Sequence, residues 1–149
     1  MGEQEARERF TAAQVARLAT VDAEGRPHLV PVVFAWHAGR IVSAVDRKPK
    51  RTPHVQRLRN IAVHPAVSLL VDAYDEDWDR LWWVRADGDA HVVQPGDPAA
   101  RDEYAAAIAL LREKYPPYRQ QPPDGPVIAV AVRRWTGWRA SPEGPLPGG

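Results

Sequence analysis

Seven cationic side chains are concentrated in the 40–60 segment of the chain, against one acid, Asp46, so the local charge is +6. Three of them, Lys48, Lys50 and Arg51, come directly before a Thr-Pro dipeptide that can cap and open a helix. Helix N-termini with adjacent cations bind phosphate groups well. The segment therefore predicts a site for a phosphate-bearing ligand. A solvated basic surface and a nucleic-acid contact are the alternatives.

Two adjacent tryptophans, Trp82 and Trp83, lie in a predicted strand. Successive side chains of a strand point to opposite faces, so the two rings cannot both pack into one core. We expect one ring in the core and the other against a second subunit or a flat aromatic ligand. Arg85 shares the face of Trp83, where it could pair with a carboxylate or reach that ligand.

The acidic 72–79 segment invites a calcium interpretation, because three of its acids fit positions one, three and five of an EF-hand loop. However, Arg80 stands where that loop needs Gly, and Ala86 stands where it needs Glu. We therefore expect a solvated turn and no metal site. Pairing of these acids with the basic segment across a dimer interface is the alternative.

Other chemistries find little support in the sequence. The chain has no cysteine, and none of its three serines lies in a Gly-x-Ser-x-Gly motif. The five histidines are not spaced as a metal-binding set, and only His54 lies beside the basic segment. The overall charge of +1 argues against a nucleic-acid partner.

The pattern of apolar residues and turns predicts a mainly β, α+β protein. Thr11 and Gln14 have the spacing of a capping box, which predicts a first helix beginning there. The apolar run 28–36 lacks polar alternation, which is typical of a strand covered on both faces, here by a core and by a second subunit. The Asp87-Gly88 dipeptide predicts a hairpin between two strands.

The remaining pattern predicts about six strands with peripheral helices at 53–63 and 98–115, which favours a small antiparallel barrel. We expect one domain over residues 1–140 and a flexible tail at 141–149. No apolar run is long enough for a membrane span, and the N-terminus lacks the apolar stretch of a secretory signal. We expect a cytoplasmic protein without a membrane partner.

The order of these features resembles the pyridoxamine 5′-phosphate oxidase-like split β-barrel superfamily, and within it the oxidoreductases that use the deazaflavin coenzyme F420. The resemblance extends from about Phe10 to Trp138. It is carried by the stretches 19–28, Val30-Pro31-Val32, Ser43-Ala44-Val45-Asp46, Lys48-Pro49-Lys50, 57–61 and 77–88. It implies a six-stranded antiparallel split β-barrel, also called an FMN-binding split barrel.

The resemblance also implies a homodimer with two cofactor sites at the subunit interface. In such a dimer the cofactor carries the hydride chemistry, so we assign no catalytic residue. The implied cofactor-binding residues are Pro31, Val32, Ser43, Ala44 and Val45 along the ring, Lys48, Lys50, Arg51 and Arg57 on the phosphate and acidic tail, and Trp82 or Trp83, from the other subunit, closing the pocket.

Three functions remain open at this point. The first is an F420-dependent reductase of an unsaturated small molecule. The second is an FMN-binding oxidase of the pyridoxamine 5′-phosphate type, which would need a second phosphate site that no other basic cluster supplies. The third is a flavin, deazaflavin or haem carrier without turnover. The breadth of the +6 segment favours F420, because that coenzyme has a long acidic tail.

Overall fold

The computed structural model describes residues 1–45 and 53–141 of the 149-residue chain. In that part of the chain it contains four α-helices, seven β-strands and two short 3₁₀ turns. The helices are α1 (Glu3–Thr11), α2 (Pro53–Val63), α3 (Arg101–Lys114) and α4 (Pro116–Gln120). The strands are β1 (Ala16–Val21), β2 (Pro27–Val32), β3 (Ala35–His37), β4 (Arg40–Ala44), β5 (Ala66–Ala73), β6 (Trp82–Val93) and β7 (Val127–Arg139), and the 3₁₀ turns cover Trp78–Arg80 and Pro98–Ala100.

All seven strands belong to one antiparallel sheet in the order β2-β1-β5-β6-β7-β4-β3. The two longest strands, β6 and β7, pair along almost their whole length at the centre of this order. Over the described ranges, β2 and β3 are the edge strands, and the sheet is not closed by a pairing between them. The predicted mainly β antiparallel fold is confirmed, with seven strands instead of six.

The continuous strand expected over residues 28–36 is divided in the structure. The chain leaves the sheet ladder at Val33 and Phe34, which separate β2 from β3. The Phe34 ring is fully buried, and its centroid lies 4.9 Å from that of Phe10. Burial of this ring stabilises the break, because it places a large apolar side chain in the core at the point where ladder hydrogen bonds end.

The hairpin expected at Asp87-Gly88 is wrong, because β6 runs straight through this dipeptide. The pairing of β6 with β7 shifts register there, so the glycine marks a bulge instead of a turn. A Cβ atom on Gly88 would collide with the carbonyl oxygen of Ala131 and lie 2.9 Å from a methyl carbon of Val130. Glycine is required at this position because the neighbouring backbone approaches so closely.

The helix expected to begin at Thr11 is also wrong, because α1 ends there and β1 begins at Ala16. Alternate residues of β1 are buried, and Leu18 is 1% exposed. This alternation fits a strand with one face in the core, and it outweighs the local capping signal.

Helix α1 packs against the far end of the chain, on β6 and β7. Its Phe10 ring is fully buried and lies edge-on to Trp135 of β7, with 5.2 Å between the ring centroids. Glu5 of the same helix accepts a charged hydrogen bond from Arg139 at 3.0 Å. The first helix and the last strand therefore form one packing unit with the core. A second apolar cluster lies between α3 and β3, β4 and β7.

Candidate functional site

The strand residues expected to line a cofactor ring lie on β2 and at the end of β4. Pro31 is exposed on the edge strand, whereas Val32, Ser43, Ala44 and Val45 are all buried. The Ser43 hydroxyl donates to the carbonyl oxygen of Val33 at 2.8 Å, so it holds the break between β2 and β3. These five residues therefore form a buried corner of the sheet, which we call the β2–β4 corner, with Pro31 exposed at its edge.

The basic residues expected to bind phosphate are placed only in part. Lys48, Lys50 and Arg51 lie outside the described residues, and their role stays a prediction. The helix that follows them begins at Pro53, as expected, and carries the half-buried Arg57. It is held to β1 by a buried hydrogen bond from the Asn60 amide to the Thr20 hydroxyl at 2.9 Å.

Trp82 and Trp83 lie on opposite faces of β6, as strand alternation predicts. Trp82 packs partly against the core, and the guanidinium carbon of Arg9 lies 5.3 Å from its ring centroid. Trp83 faces away from that core and lies across from Asp72 of β5 and Trp138 of β7. The Arg85 guanidinium carbon lies 5.9 Å from the Trp83 ring centroid, which gives a cation–π contact.

An aromatic cavity of about 500 Å³ opens at this end of β5, β6 and β7. Its volume lies in the range of small-molecule sites, which is about 300–1,000 Å³. Flat apolar walls and two charged groups characterise its lining. The residues that matter most for its chemistry are Leu70, Asp72, Trp78, Trp83, Arg85 and Trp138.

A second, more polar cavity of about 640 Å³ adjoins the first, and Arg85 lines both. Its lining includes Ser68, Asp87 and Arg134. These residues lie side by side on β5, β6 and β7, because Asp87 is the register partner of Ser68 on one side and of Arg134 on the other. Sequence analysis did not single out these three residues as a group. The signal that unites them is strand register, which becomes available only when the strands are paired.

Asp87 is the centre of a hydrogen-bonded network in this polar cavity. Its carboxylate accepts from the Ser68 hydroxyl at 2.6 Å and from Arg134 at 3.4 Å. The Nε of Arg85 lies 3.2 Å from one of its oxygens. Partial burial raises the pKa of Asp87, but the bonds from Ser68, Arg85 and Arg134 outweigh burial and hold that pKa below its ordinary value.

Strand register relates the two parts of the expected cofactor site within one chain. Ser43 pairs through Ile128 of β7 with Val92 of β6, which is nine residues beyond Trp83 on the same strand. That interval corresponds to roughly 30 Å along a strand. The β2 side of the corner is nearer, because Pro31 shares a register row with Leu70 and Arg85 and lies three strands, or about 14 Å, from Arg85 across the sheet. Neither cavity lining includes Pro31, Val32 or Ser43–Val45.

The acidic segment forms a self-capped turn. Asp75 accepts from the backbone nitrogen of Asp77 at 2.8 Å, and Asp77 accepts from that of Asp79 at 3.1 Å. Arg80 lies 3.5 Å from the Asp75 carboxylate. The carboxylates are thus engaged in local turn contacts of the kind expected for a solvated turn.

Within residues 1–45 and 53–141, no helix has both the length and the apolar character needed to cross a membrane.

Solved structures provide the first comparison with known proteins. The conserved hypothetical protein Rv2991 from Mycobacterium tuberculosis is 23% identical, with a TM-score of 0.74, over 99% of this chain and 93% of its own. A FAD-binding protein from Mesorhizobium loti is 18% identical, with a TM-score of 0.70, over 95% and 96% of the two chains. HutZ, the haem storage protein from Vibrio cholerae, is 19% identical, with a TM-score of 0.68, over 92% and 93%. At these identities the likeness establishes the fold.

A search of curated proteins finds no match. The family comparison is more informative, because the family model described as pyridoxamine 5′-phosphate oxidase matches residues 3–139, which is most of the chain. The match covers both the β2–β4 corner and the aromatic cavity. The chain belongs to the pyridoxamine 5′-phosphate oxidase family.

Proposed function

We propose that the protein is an F420-dependent oxidoreductase that acts as a homodimer and reduces an unsaturated small molecule. The observation that carries this proposal is the +6 charge of residues 40–60, which extend from β4 into α2, in a chain of this family. A ligand with a single phosphate needs only a few cations, whereas a long acidic tail is matched by a broad basic surface. FMN is the alternative cofactor.

The linings of the two cavities support the dimer. Neither cavity lining includes Pro31, Val32 or Ser43–Val45, so the corner and the tryptophans share neither of these cavities within one chain. A second copy would supply Trp82 or Trp83 to the corner of the first. Each cofactor would then be held between two copies.

The residues of this chain would bind and orient the cofactor instead of reacting themselves. Lys48, Lys50, Arg51 and Arg57 would hold its phosphate and acidic tail, and the buried corner at Val32 and Ser43–Val45 would present the backbone to its ring. A bound reduced deazaflavin supplies a hydride to one carbon of a double bond, while solvent supplies a proton to the other carbon. Aromatic walls such as Trp83 would exclude water from the reacting atoms.

A carrier without turnover is the second candidate, since HutZ is described as a haem storage protein. Haem iron is usually held by His, Cys, Met or Tyr. The described linings of the two cavities contain Tyr74, which is 72% exposed, but no His, Cys or Met. Because this lining offers few ligands for haem iron, it favours a flat cofactor without a metal over haem.

Paired titrations test the cofactor. Purified protein is titrated with oxidised F420 and with FMN, and tryptophan quenching gives each dissociation constant. We expect micromolar or tighter F420 binding and weaker FMN binding; the reverse order would overturn the choice of F420. Lys50→Ala should weaken F420 binding about 10- to 100-fold, the effect of one lost charge-assisted bond. Arg7→Ala, which removes an exposed cation of α1, is the matched control and should leave affinity unchanged.

Two further measurements test the dimer and turnover. Light scattering on the eluting protein should give twice the mass of one 16.6 kDa chain. Mixing F420-loaded protein, with the cofactor reduced, with a panel of unsaturated compounds should oxidise the cofactor in at least one case. Tight F420 binding without oxidation by any compound would favour the carrier over the enzyme.

A further inference from the structure

Arg85 occupies the boundary between the aromatic cavity and the polar cavity and contributes to both linings. Its side chain is 35% exposed, so the guanidinium is accessible from the cavities. Across β5 its register partner is Leu70, and across β7 it is Thr136. The position places a cation at the edge of a mainly apolar surface that also carries the Asp72 carboxylate.

The guanidinium of Arg85 is held from one side only. Asp87 engages its Nε, and Ser68 and Arg134 in turn hold Asp87. Within the described residues, the hydrogen bond from the Arg85 guanidinium to a side chain runs from Nε to Asp87, and none runs from its two terminal nitrogens. A guanidinium fixed at Nε retains its terminal nitrogens for an oxyanion, and their planar arrangement suits a carboxylate.

The opposite walls of the cavity are flat and apolar. The Trp83 ring lies beneath the Arg85 guanidinium. Trp138 is the register partner of Trp83 on β7. Leu70 and Trp78 are 39% and 55% exposed, which is high for large apolar side chains. Exposed apolar surface of this kind, with a fixed cation at its edge, suits a flat apolar molecule that carries one anionic group.

We propose that the aromatic cavity binds a planar, apolar molecule bearing a carboxylate, which Arg85 recognises, and that such acids are the substrate class of the enzyme. The second half of this proposal rests on the function proposed above. In the proposed dimer Trp83 faces the cofactor of the other copy, so an acid bound at Arg85 would lie beside that cofactor. Arg85 is then a specificity-determining residue.

Asp72 should have the opposite effect to Arg85 on the binding of an acid. Its carboxylate lines the same cavity on β5, across from Trp83. A bound acid would be repelled by Asp72 and attracted by Arg85. Asp72→Asn should therefore tighten binding of an acid, whereas Arg85→Gln should weaken it.

The test compares cinnamate with cinnamamide, which have nearly the same shape and differ in charge. Ligand-observed NMR titrations on the full chain without cofactor give both dissociation constants. We expect wild-type protein to prefer the acid, and Arg85→Gln to weaken the acid about 10-fold while leaving the amide within about twofold, since only the charged bond is lost. Arg133→Gln is the matched control, because Arg133 pairs with Asp89 and does not line the aromatic cavity.

Three results would overturn the proposal: equal binding of acid and amide by the wild-type protein, no binding of either probe, or equal weakening by Arg85→Gln and Arg133→Gln. The acid–amide comparison uses the wild-type chain, so it stands even where a variant fails to fold. Because no cofactor is present, failure here leaves the F420 proposal intact. Preference for the acid in a protein that does not bind F420 would support the binding site and overturn its assignment to a substrate.

Discussion

The hydroxyl of Tyr115 lies 3.0 Å from the backbone nitrogen of Phe34 and 2.9 Å from its carbonyl oxygen. It therefore replaces ladder hydrogen bonds at the residue where β2 and β3 separate. The carbonyl oxygen of Gln14 is also within donating distance, at 2.7 Å. One side chain at the end of α3 thus fixes the corner that contains Val32 and Ser43.

Tyr115→Phe should lower the free energy of unfolding by about 1–3 kcal/mol, because the part-buried backbone of Phe34 loses its partner. Urea denaturation followed by tryptophan fluorescence measures the change. Tyr74→Phe removes a hydroxyl from a side chain that is 72% exposed, and it should leave stability unchanged. Equal effects of the two substitutions would contradict the role assigned to Tyr115.

Lys114 gives stability a pH dependence in the alkaline range. Its Nζ donates to the Ala13 carbonyl at 2.6 Å and lies 3.9 Å from the Phe34 ring centroid, and burial lowers the pKa of its amine to about 8. Between pH 8 and the ordinary value of 10.5, the unfolded chain binds more protons at this residue than the folded chain. Stability contributed by Lys114 therefore rises with pH across that interval.

Lys114→Met removes this pH dependence. Between pH 7.5 and 9.5 the free energy of unfolding of the wild type should therefore rise, relative to that of the variant, by up to about 1 kcal/mol. The Lys114 side chain is only partly buried, so solvent screening keeps the effect small. Urea titrations at the two pH values measure this shift. A difference that stays constant, or that moves toward the variant, would contradict the lowered pKa.

Asp87 gives a dependence of the same sign in the acid range, where stability again rises with pH. Its pKa is held below the ordinary value of 3.8, so its contribution is present above that value and is lost as pH falls through the folded-state pKa. Asp87→Asn should cost about 1 kcal/mol at pH 7, since the pairs with Arg85 and Arg134 are part-exposed. The difference in free energy of unfolding between Asp87→Asn and the wild type should become smaller below about pH 4. Asp89→Asn, at an exposed pair with Arg133, is the control and should show little effect at either pH.

Gly88→Ala should destabilise the protein by about 2–4 kcal/mol, because the added methyl group meets the rigid backbone at Ala131. Thermal unfolding measures the loss. At Gly137, on the neighbouring strand, a Cβ would meet the flexible end of Met1 at 2.5 Å. Gly137→Ala should therefore cost clearly less, and a larger loss at Gly137 would show that side-chain displacement, not backbone collision, dominates.

The main elements could be predicted from the sequence because apolar periodicity reports local structure. It located α2, and it identified β5 and the end of β6 that carries Trp82 and Trp83. It failed at Asp87-Gly88, where the same dipeptide suits a turn or a bulge. Only the approach of Ala131, far along the chain, decides between them.

The candidate site could also be predicted only in part from the sequence. Composition alone revealed the basic segment, and strand alternation placed Trp82 and Trp83 on opposite faces. The network of Ser68, Asp87 and Arg134 was not predictable, because three strands distant in sequence must first pair in one register. Lys48, Lys50 and Arg51 lie outside the described residues, so their part in the site remains a prediction.

The packing of α1 on β7 has a consequence for how this protein is made. The ribosome synthesises α1 before all the strands and β7 after the other six, so Phe10 cannot reach Trp135 until the chain has emerged as far as β7. The nascent chain must keep that aromatic surface available until β7 has been made. Folding of this domain is therefore completed only after β7 has emerged, and chaperones that bind exposed aromatic segments can act on Phe10 during the interval.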